Sequence, residues 1–420
     1  MKTFRSLTSL LVILMPLLSA CVGLIPTPES QPPKEYLENA LNWIQTHAVF
    51  GDDMDWDKVR REALALAPNP QTTADTYPAI RLALQRLNDG FASLELPLAD
   101  RPDRYTGMYA IYPENVIILV YPGGPAERVG VRVGDVIELI NGEAPRPFLD
   151  YSAFMALDFG VNPKVQLTLR RAGQTRPIEV TVDQVAFSAD YQPKPTGGKL
   201  GTEPNGVGYI ELPSYGGYPL TYPGWAHQLI RKIDREPVCG WIIDIRRNAG
   251  GDIWSYLAAI GPVMGEGDVG GFVYRDGTHE LWTYRDGKVF WAENEREESL
   301  VEGGIYMPRR ALPPVALLIA PTTFAAGELV IVAFEGREKV RTFGEETRGL
   351  PTLNIATGLS DGAIIYISGA FATDRNSNIY KGPLLPDESV KTDWVQFGTD
   401  QDPVILAGLD WLKTQPECGN

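Results

Sequence analysis

The sequence predicts a multidomain protein of the α/β class (multidomain α+β), because its pattern changes twice along 420 residues. Residues 35–100 place apolar side chains at helical spacing, which predicts an N-terminal helical domain. Residues 104–186 hold short apolar runs broken by glycine and proline, which predict a small β domain. Residues 200–415 alternate nearly continuous apolar runs with helical segments, which is typical of an α/β core with a sheet covered on both faces.

The composition is that of a globular protein with an excess of acidic residues. Hydrophobic residues make up 44% and charged residues 22%, which excludes a disordered or collagen-like chain. The formal charge of −15 repels phosphate backbones and excludes nucleic acid as the expected partner. The acidic run 52–57 lacks the glycine and the carboxylate that an EF-hand loop would need at Lys58 and Leu64. We therefore expect a solvated helix start there, and neither a metal nor a cofactor.

The first 34 residues predict an export signal followed by a tether. Two basic residues precede an apolar run over residues 10–18, which is shorter than the roughly 20 residues that a membrane-spanning helix needs. Cys21 follows small residues in a pattern that resembles the lipobox of bacterial lipoproteins. The resemblance implies a signal peptide over residues 1–21 and lipidation of Cys21. Proline-rich residues 22–34 are then a tether, and we expect a protein lipid-anchored to a membrane of the bacterial cell envelope.

Export would leave two further cysteines, Cys239 and Cys418, in an oxidising compartment. An even pair there permits a disulfide, and it equally permits two free thiols. The sequence leaves both alternatives open.

The expected elements within the domains follow from apolar spacing and from turn residues. In the helical domain we expect a helix over 36–44, a second helix that Asp55 caps, and a third near 77–87. In the last domain the expected strands lie at residues 206–213, 240–245 and 314–319, and a helix is expected at 325–334. Residues 192–204 are rich in proline and glycine, and we expect a linker there.

The middle domain carries glycines at a recognisable spacing. Residues 121–143 read YPGGPAERVGVRVGDVIELINGE, in which Pro125 opens a short helix and Asp135 ends a loop before a strand over 136–140. This run resembles a bacterial PDZ domain. The resemblance implies a groove that binds an extended peptide by β-augmentation and holds its C-terminal carboxylate on backbone amides. The corresponding loop falls on Gly107, Met108, Tyr109 and Ala110.

Three motifs of the last domain occur in the order that one family shares. Residues 244–251 read DIRRNAGG, residues 322–328 read TTFAAGE, and residues 344–350 read GEETRGL. They resemble the D-L-R-x-N-x-G-G, T-A-S-[AS]-[GS]-E and G-E-x-T-x-G-[KL] segments of the C-terminal processing (tail-specific) serine peptidases, which include tricorn-like members and a PDZ-containing lipoprotein branch. The resemblance extends over residues 35–412 and implies a ClpP/crotonase-like α/β core.

The side chains that would carry peptide hydrolysis are replaced in this sequence. The reaction needs a nucleophile, a base and donors for the oxyanion. By the resemblance, the nucleophile position falls on Ala325 and the histidine base on Phe91, with Ala92 in place of a neighbouring serine. A lysine that serves other members falls on Leu350. The residues whose backbone N–H groups would bind the oxyanion are retained in the motifs, at Gly250, Gly251 and Ala326.

We therefore expect an exported pseudo-peptidase that binds peptides or protein C-terminal tails, and that contacts a membrane through its lipid anchor. One alternative is an active serine-type endopeptidase, with Ala325 introduced in place of a native serine or with another nucleophile. A second alternative is a structural or adaptor lipoprotein. The sequence contains no zinc-protease helix, phosphate-binding loop or dinucleotide fingerprint.

Few other side chains could replace the missing ones. Ser360 stands in a G-x-S-x-G pattern, but the residues after it are typical of a strand, so we expect a hairpin turn instead of a nucleophile elbow. His227 is expected on the surface of a helix. His279 and His47 are expected to have structural roles.

Overall fold

The computed structural model describes residues 31–52, 54–97, 105–111, 115–145, 163–185, 193–201, 206–215, 221–236, 238–296, 301 and 305–419. The export signal, Cys21 and most of the tether lie outside these residues, so their assignments stay predictions. Among the described helices, none combines the length and the hydropathy that a bilayer crossing requires.

The chain begins with three helices and a short strand. They are α1 (Pro33–His47), α2 (Trp56–Leu66), α3 (Tyr77–Arg86) and β1 (Ser93–Glu95). The Asp55 carboxylate accepts a hydrogen bond from the Lys58 amide at 3.0 Å, which confirms the predicted cap of α2.

The second region is a five-stranded antiparallel sheet with one short helix. Its elements are β2 (Met108–Ile111), β3 (Val116–Val120), α4 (Pro125–Arg128), β4 (Val136–Ile140), β5 (Lys164–Arg170) and β6 (Ile178–Asp183). The strand order is β2-β3-β4-β5-β6, so β2 lies at an edge.

The third region contains the remaining described elements. In chain order they are β7 (Thr196–Leu200), β8 (Val207–Glu211), α5 (Tyr222–Ile233), β9 (Trp241–Asp244), α6 (Ile253–Met264), β10 (Gly267–Tyr274), β11 (His279–Arg285), β12 (Lys288–Trp291), β13 (Asn294–Glu295), β14 (Val315–Ile319), α7 (Ala326–Phe334), β15 (Val340–Gly344), β16 (Thr352–Gly358), β17 (Ile364–Asp374), β18 (Ile379–Tyr380), β19 (Glu388–Ser389) and α8 (Pro403–Lys413).

Two sheets enclose the main core of this region. One has the order β19-β15-β14-β9-β8-β7 and is parallel except for β7, and the other is antiparallel and centred on β17. Side chains of α5, α6 and α7 share one buried apolar cluster with strands of both sheets. The outer face of the first sheet is covered by α8, because Leu412 and Val404 cluster with Ile242 and Leu318. The mixed α/β fold class is confirmed.

Two expectations about boundaries change in the structure. The helical segment shares its core with the third region, because Leu37 and Ile80 cluster with Ile365 and β1 pairs with β17. The predicted linker is partly a strand, since Thr196–Leu200 pairs with β8. The edge of β8 supplies hydrogen-bond partners that composition cannot reveal, and these override the turn propensity of the glycines.

Two further features concern single positions. Ser360 lies in the turn between β16 and β17, which pair in antiparallel fashion, so the predicted hairpin is confirmed. Cys239 and Cys418 form a disulfide with a Cα–Cα distance of 4.9 Å, which resolves the two alternatives in favour of the bridge.

Candidate functional site

The site forms where two neighbouring parallel strands end. Because Leu318 of β14 stands beside Asp244 of β9, the chain leaves both strands at the same edge of the sheet. Hydrogen bonds then join the two exits: the Phe324 amide donates to the Asn248 carbonyl at 3.0 Å, and the Thr323 hydroxyl donates to the Ile245 carbonyl at 3.0 Å. The edge at the carboxyl ends of parallel strands is where α/β proteins place their ligand sites.

Ala325 lies in the turn between β14 and α7 at this edge. It is the N-cap residue of α7, and its backbone has φ +48° and ψ −115°, a conformation that strains a residue with a Cβ. The preceding strand β14 and the following helix α7 make a strand–turn–helix unit, as in nucleophile elbows of hydrolases. The geometry that presents a nucleophile is therefore present with a methyl group in place of a hydroxyl.

A buried carboxylate holds the start of α7 in place. Glu328 is fully buried and accepts hydrogen bonds from the Ala325 amide (3.0 Å), the Gly349 amide (2.7 Å), the Leu350 amide (2.9 Å) and the Thr347 hydroxyl (2.5 Å). Burial raises the pKa of Glu328 to about 7, although the four donors oppose this shift. The carboxyl group thus connects the nucleophile position to the loop that carries Leu350.

The glycine turn lies directly against Ala325. A methyl group built on Gly250 would be 3.2 Å from the Ala325 Cβ, which is a tight contact, and the φ of +96° also favours glycine there. At Gly251 a methyl group would be 2.0 Å from the Tyr215 carbonyl oxygen. The Gly250 amide donates to the Asn248 Oδ1 at 3.1 Å, so it has an acceptor within its own turn in this structure. The Ala326 amide opens α7, at the helix end where backbone N–H groups are unpaired.

Below the turn lies a buried ionic cluster. Arg246 is fully buried and forms ion pairs of 2.7 Å with both Asp244 and Asp402, each of which is also fully buried. The Tyr209 hydroxyl donates to Asp244 at 2.9 Å. Paired in this way, the charges fix the path of the chain as it leaves β9.

The side facing Ala325 across the site is apolar. Phe324, Ala325 and Leu350 form one buried cluster, and Phe50 and Phe91 pack against it. The rings of Phe91 and Phe324 stack at 5.8 Å between centroids. The positions of the nucleophile, the histidine base and the alternative lysine base therefore meet in space, as the resemblance implied, and all three carry hydrocarbon side chains.

Comparisons with known proteins agree with this geometry. A peptidase family S41 profile matches residues 206–390, and a PDZ domain profile matches residues 116–171. The chain is 26% identical over 361 residues to the carboxyl-terminal-processing protease of Synechocystis sp., across 80% of this chain and 77% of that protein. Residues 206–390 thus match a peptidase family S41 domain, and the chain as a whole is similar to C-terminal processing peptidases.

Other similarities span different shares of the chain. The nisin-resistance protein of Lactococcus lactis is 26% identical over 207 residues, which are 49% of this chain and 60% of that protein. Two solved structures show the same fold. The photosystem II D1 C-terminal processing protease has a TM-score of 0.59 at 20% identity and covers 92% of this chain and 99% of its own. A lipoprotein from Streptococcus agalactiae has a TM-score of 0.55 at 14% identity, and the match covers 91% of this chain and 96% of that one.

The loop that carries Phe91 is fixed by a buried carboxylate. Asp89 accepts hydrogen bonds from the Phe91 amide at 3.0 Å, the Ser368 amide at 2.7 Å and the Ser368 hydroxyl at 3.0 Å. Burial raises the pKa of Asp89. These bonds tie the loop to β17, so the position of the family's histidine is held by the peptidase core itself.

The histidines lie in structural positions. His227 is fully buried, which corrects its predicted place on a helix surface: one ring nitrogen contacts the Ala258 carbonyl at 2.9 Å, and the other accepts from the Tyr306 amide at 3.1 Å. His279 contacts the Thr373 hydroxyl at 2.8 Å, and His47 stacks on Trp43. Among the described residues, no group of three or more His, Cys, Asp and Glu side chains is placed to hold a metal ion.

The predicted carboxylate loop lies at the start of the edge strand β2. Gly107 has φ +80°, and a methyl group there would be 2.8 Å from Pro125 Cδ, so the loop passes tightly against α4. Met108 and Ala110 are buried in the core of the PDZ domain, while Tyr109 packs against Tyr121. Within the described residues, the outer edge of β2 pairs with no other strand.

Three contributors to the site were missed by the sequence analysis. Glu328 lies three residues after the N-cap, which is the capping-box spacing, and that pattern could have indicated its role. Phe50 and Asp402 act on residues that are distant along the chain, and no local pattern marks them. Asp402 is 156 positions from Arg246.

Proposed function

We propose that this family member is an exported, lipid-anchored pseudo-peptidase that binds peptide or protein tails without cutting them. One observation carries the proposal: Ala325, Phe91 and Leu350, the positions of the nucleophile and of both kinds of base, meet in one apolar cluster. A hydrocarbon side chain can neither attack a carbonyl nor take up a proton. The binding half of the family's function needs none of these groups.

The PDZ domain supports the binding of tails. The open edge of β2 offers main-chain donors and acceptors to an extended peptide, and the tight loop at Gly107 lies at its end. Each main-chain hydrogen bond contributes about 0.5–1.5 kcal/mol net, so the expected affinity is modest. Presentation of many copies on a membrane would raise the apparent affinity through avidity.

Localisation at the cell envelope rests on the lipobox pattern at Cys21. Metabolic labelling with a fatty-acid analogue in a bacterial host tests it. We expect label on the native chain and none on a Cys21→Ser variant. Label on both proteins, or on neither, would contradict the proposed anchor.

Tail binding is tested on the chain that lacks residues 1–21. Fluorescent peptides that differ in their last residue are titrated with a free carboxylate or a C-terminal amide, and their integrity is followed by mass spectrometry. We expect carboxylate-dependent binding of intact peptide. A Gly107→Ala variant should bind at least about 10-fold more weakly, because the methyl group displaces Pro125.

Gly130→Ala is the matched control for this experiment. Gly130 has a similar φ of +84° in the same domain, but open space lies around the position of its Cβ. The backbone strain is therefore shared and the clash at the loop is not. Cleaved peptide would support the active endopeptidase instead, and no binding of any peptide would support the structural or adaptor role.

The active endopeptidase is the second candidate, and one observation favours it. The strained conformation of Ala325 persists although a methyl group gains nothing from it. A protein whose native residue at this position is serine would need that conformation. Reading codon 325 of the native gene separates the two candidates.

A further inference from the structure

The C-terminal helix α8 packs over strands β14, β15 and β9, and a residue near each of its ends is bound to the segments that flank β9. At its start, Asp402 caps the helix and accepts from the Val404 amide at 3.0 Å. Beyond its end, Cys418 is bonded to Cys239, which stands just before β9. The ionic fastening, the ion pair of Asp402 with Arg246, lies where β9 ends. The covalent one, the disulfide, lies where β9 begins.

The ionic fastening is shared with the candidate site. Arg246 donates to Asp402 through Nη1 at 3.0 Å and Nη2 at 2.7 Å, and to Asp244 through Nε at 3.0 Å and Nη2 at 2.7 Å. The Phe397 ring lies 4.4 Å from the Arg246 guanidinium carbon and covers it. Asp402 thus supplies half of the counter-charge of a fully buried cation.

Arg246 also contacts the segment that leads to Ala325. The Thr322 hydroxyl donates to the Arg246 carbonyl, and the Asn248 carbonyl accepts from the Phe324 amide. The glycine turn at 249–251 follows directly in the chain. A shift of Arg246 must therefore move the turn, because the two are separated by only a few backbone bonds and share these hydrogen bonds.

Between its ends, α8 packs on the sheet through apolar side chains. A methyl group built on Gly240 would be 2.9 Å from the Leu412 Cδ2, and one on Gly408 would be 3.3 Å from the Ala316 Cβ. The pair of Lys339 and Glu417 lies near the disulfide, and its lysine side chain is 44% exposed, so solvent screens it. The disulfide is therefore the strong fastening at that end.

We propose that the Cys239–Cys418 disulfide is a redox-sensitive latch that holds Asp402 on Arg246 and thereby keeps the glycine turn in its observed conformation. A dithiol reductant opens the latch: the S–S bond breaks, two electrons and two protons pass from the dithiol to give the thiols of Cys239 and Cys418, and the reductant becomes a cyclic disulfide. The end of α8 is then free, Asp402 withdraws from Arg246 more often, and the turn loosens.

Burial of the bridge sets the rate of this reaction. Cys239 and Cys418 are only 4% and 6% exposed, so a reductant reaches the sulfurs when the segment after α8 opens locally. The opening must break the hydrogen bond that the Cys418 amide donates to the Gln415 carbonyl. We expect reduction to be slow under native conditions and complete at high dithiol concentration.

Hydrogen exchange followed by mass spectrometry on the chain without residues 1–21 tests the latch. It compares the oxidised protein, the protein reduced with dithiothreitol and a Cys239→Ser/Cys418→Ser variant. We expect amides at 245–252 to exchange at least about 10-fold faster in the last two samples. Residues 164–183 of the PDZ domain serve as an internal reference and should exchange as before.

Two single variants separate the latch from general destabilisation. Glu417→Gln removes the charge beside Cys418 and leaves the disulfide, and it should leave exchange at 245–252 unchanged. Asp402→Asn should accelerate exchange at 245–252 in the oxidised protein while the segment after α8 stays protected. Faster exchange confined to 403–419, or equally fast exchange everywhere including the PDZ reference, would overturn the proposal.

Discussion

The two halves of the candidate site meet at Ala325 and differ in chemistry. On one side, Glu328 and Arg246 are buried ionisable groups with nearly every hydrogen-bonding atom satisfied. On the other side, Phe91, Leu350 and Phe50 form a hydrocarbon surface in which the reacting groups of the family would stand. The polar half holds the turn in its hydrogen-bonded conformation, and the apolar half carries hydrocarbon side chains at the positions that the resemblance assigns to the nucleophile and the bases.

The difference shows that the backbone conformation of the turn and the side chains at the reactive positions depend on different contacts. The strained turn at Ala325 depends on the Glu328 carboxylate and on the Asn248 carbonyl, and neither contact involves the side chain of residue 325. The conformation of the turn therefore does not require a hydroxyl on residue 325.

The largest effect is expected in the polar half, for Arg246→Ala. This change leaves Asp244 and Asp402 buried without their cation, which costs about 3–5 kcal/mol of the free energy of unfolding. Urea denaturation measures it. Arg170→Ala is the control, since its pair with Glu138 is mostly exposed and should contribute at most about 1 kcal/mol. Equal losses for both variants would show that the buried cluster does not support the framework.

A pH-dependent effect of similar size is expected at Glu328. Its pKa of about 7 in the folded protein lies above the ordinary value of 4.5, so between these values the folded state binds more protons than the unfolded state. The free energy of unfolding therefore falls as the pH rises through this window. Relative to Glu328→Gln, the native protein should lose about 2–3 kcal/mol between pH 5 and pH 8.

The control for this measurement is the variant itself, which has no group that titrates at position 328. Urea denaturation at pH 5, 6, 7 and 8 gives the two slopes. Parallel slopes would mean that the four donors outweigh burial and keep Glu328 ionised. The framework would then rest on a charged carboxylate throughout this range.

The smallest effect is expected at Ala325 itself. Glycine adopts φ +48° without strain, so Ala325→Gly should change the free energy of unfolding by no more than about 0.5 kcal/mol, because relief of strain offsets the lost methyl group. Ala333→Gly is the matched control: Ala333 is buried in the last turn of α7 and has no positive φ to relieve, so the lost methyl group should cost about 1 kcal/mol. A loss at Ala325→Gly as large as that of the control would show an unstrained turn.

Much of the site was predictable because its residues sit in local patterns. The buried strands β9 and β14 are nearly continuous apolar runs, and the motif after each strand fixes the turn that follows it. Adjacent parallel strands then bring Gly250 and Ala325 together without any further information. The convergence of Phe91 on Ala325 followed from the family resemblance, since no local pattern links residues so far apart.

The remaining features depend on contacts that sequence spacing does not encode. His227 is buried because Tyr306 and Ala258 happen to satisfy both ring nitrogens, so its burial could not be deduced from a helical pattern. The strand at Thr196–Leu200 exists because β8 offers an edge. The disulfide depends on the Cα–Cα distance between Cys239 and Cys418 in the folded chain. In each case, the local structure is determined by contacts with residues that are distant in the sequence.

We propose that the framework of the site is intact and that only the reacting groups are missing. The most direct measurement compares cleavage of an unfolded protein substrate by the chain without residues 1–21 and by its Ala325→Ser/Phe91→His variant, with labelling by a serine-directed covalent probe. We expect neither cleavage nor labelling for the first protein, and both for the double variant. Cleavage by the unaltered chain would show that the protein has a working nucleophile.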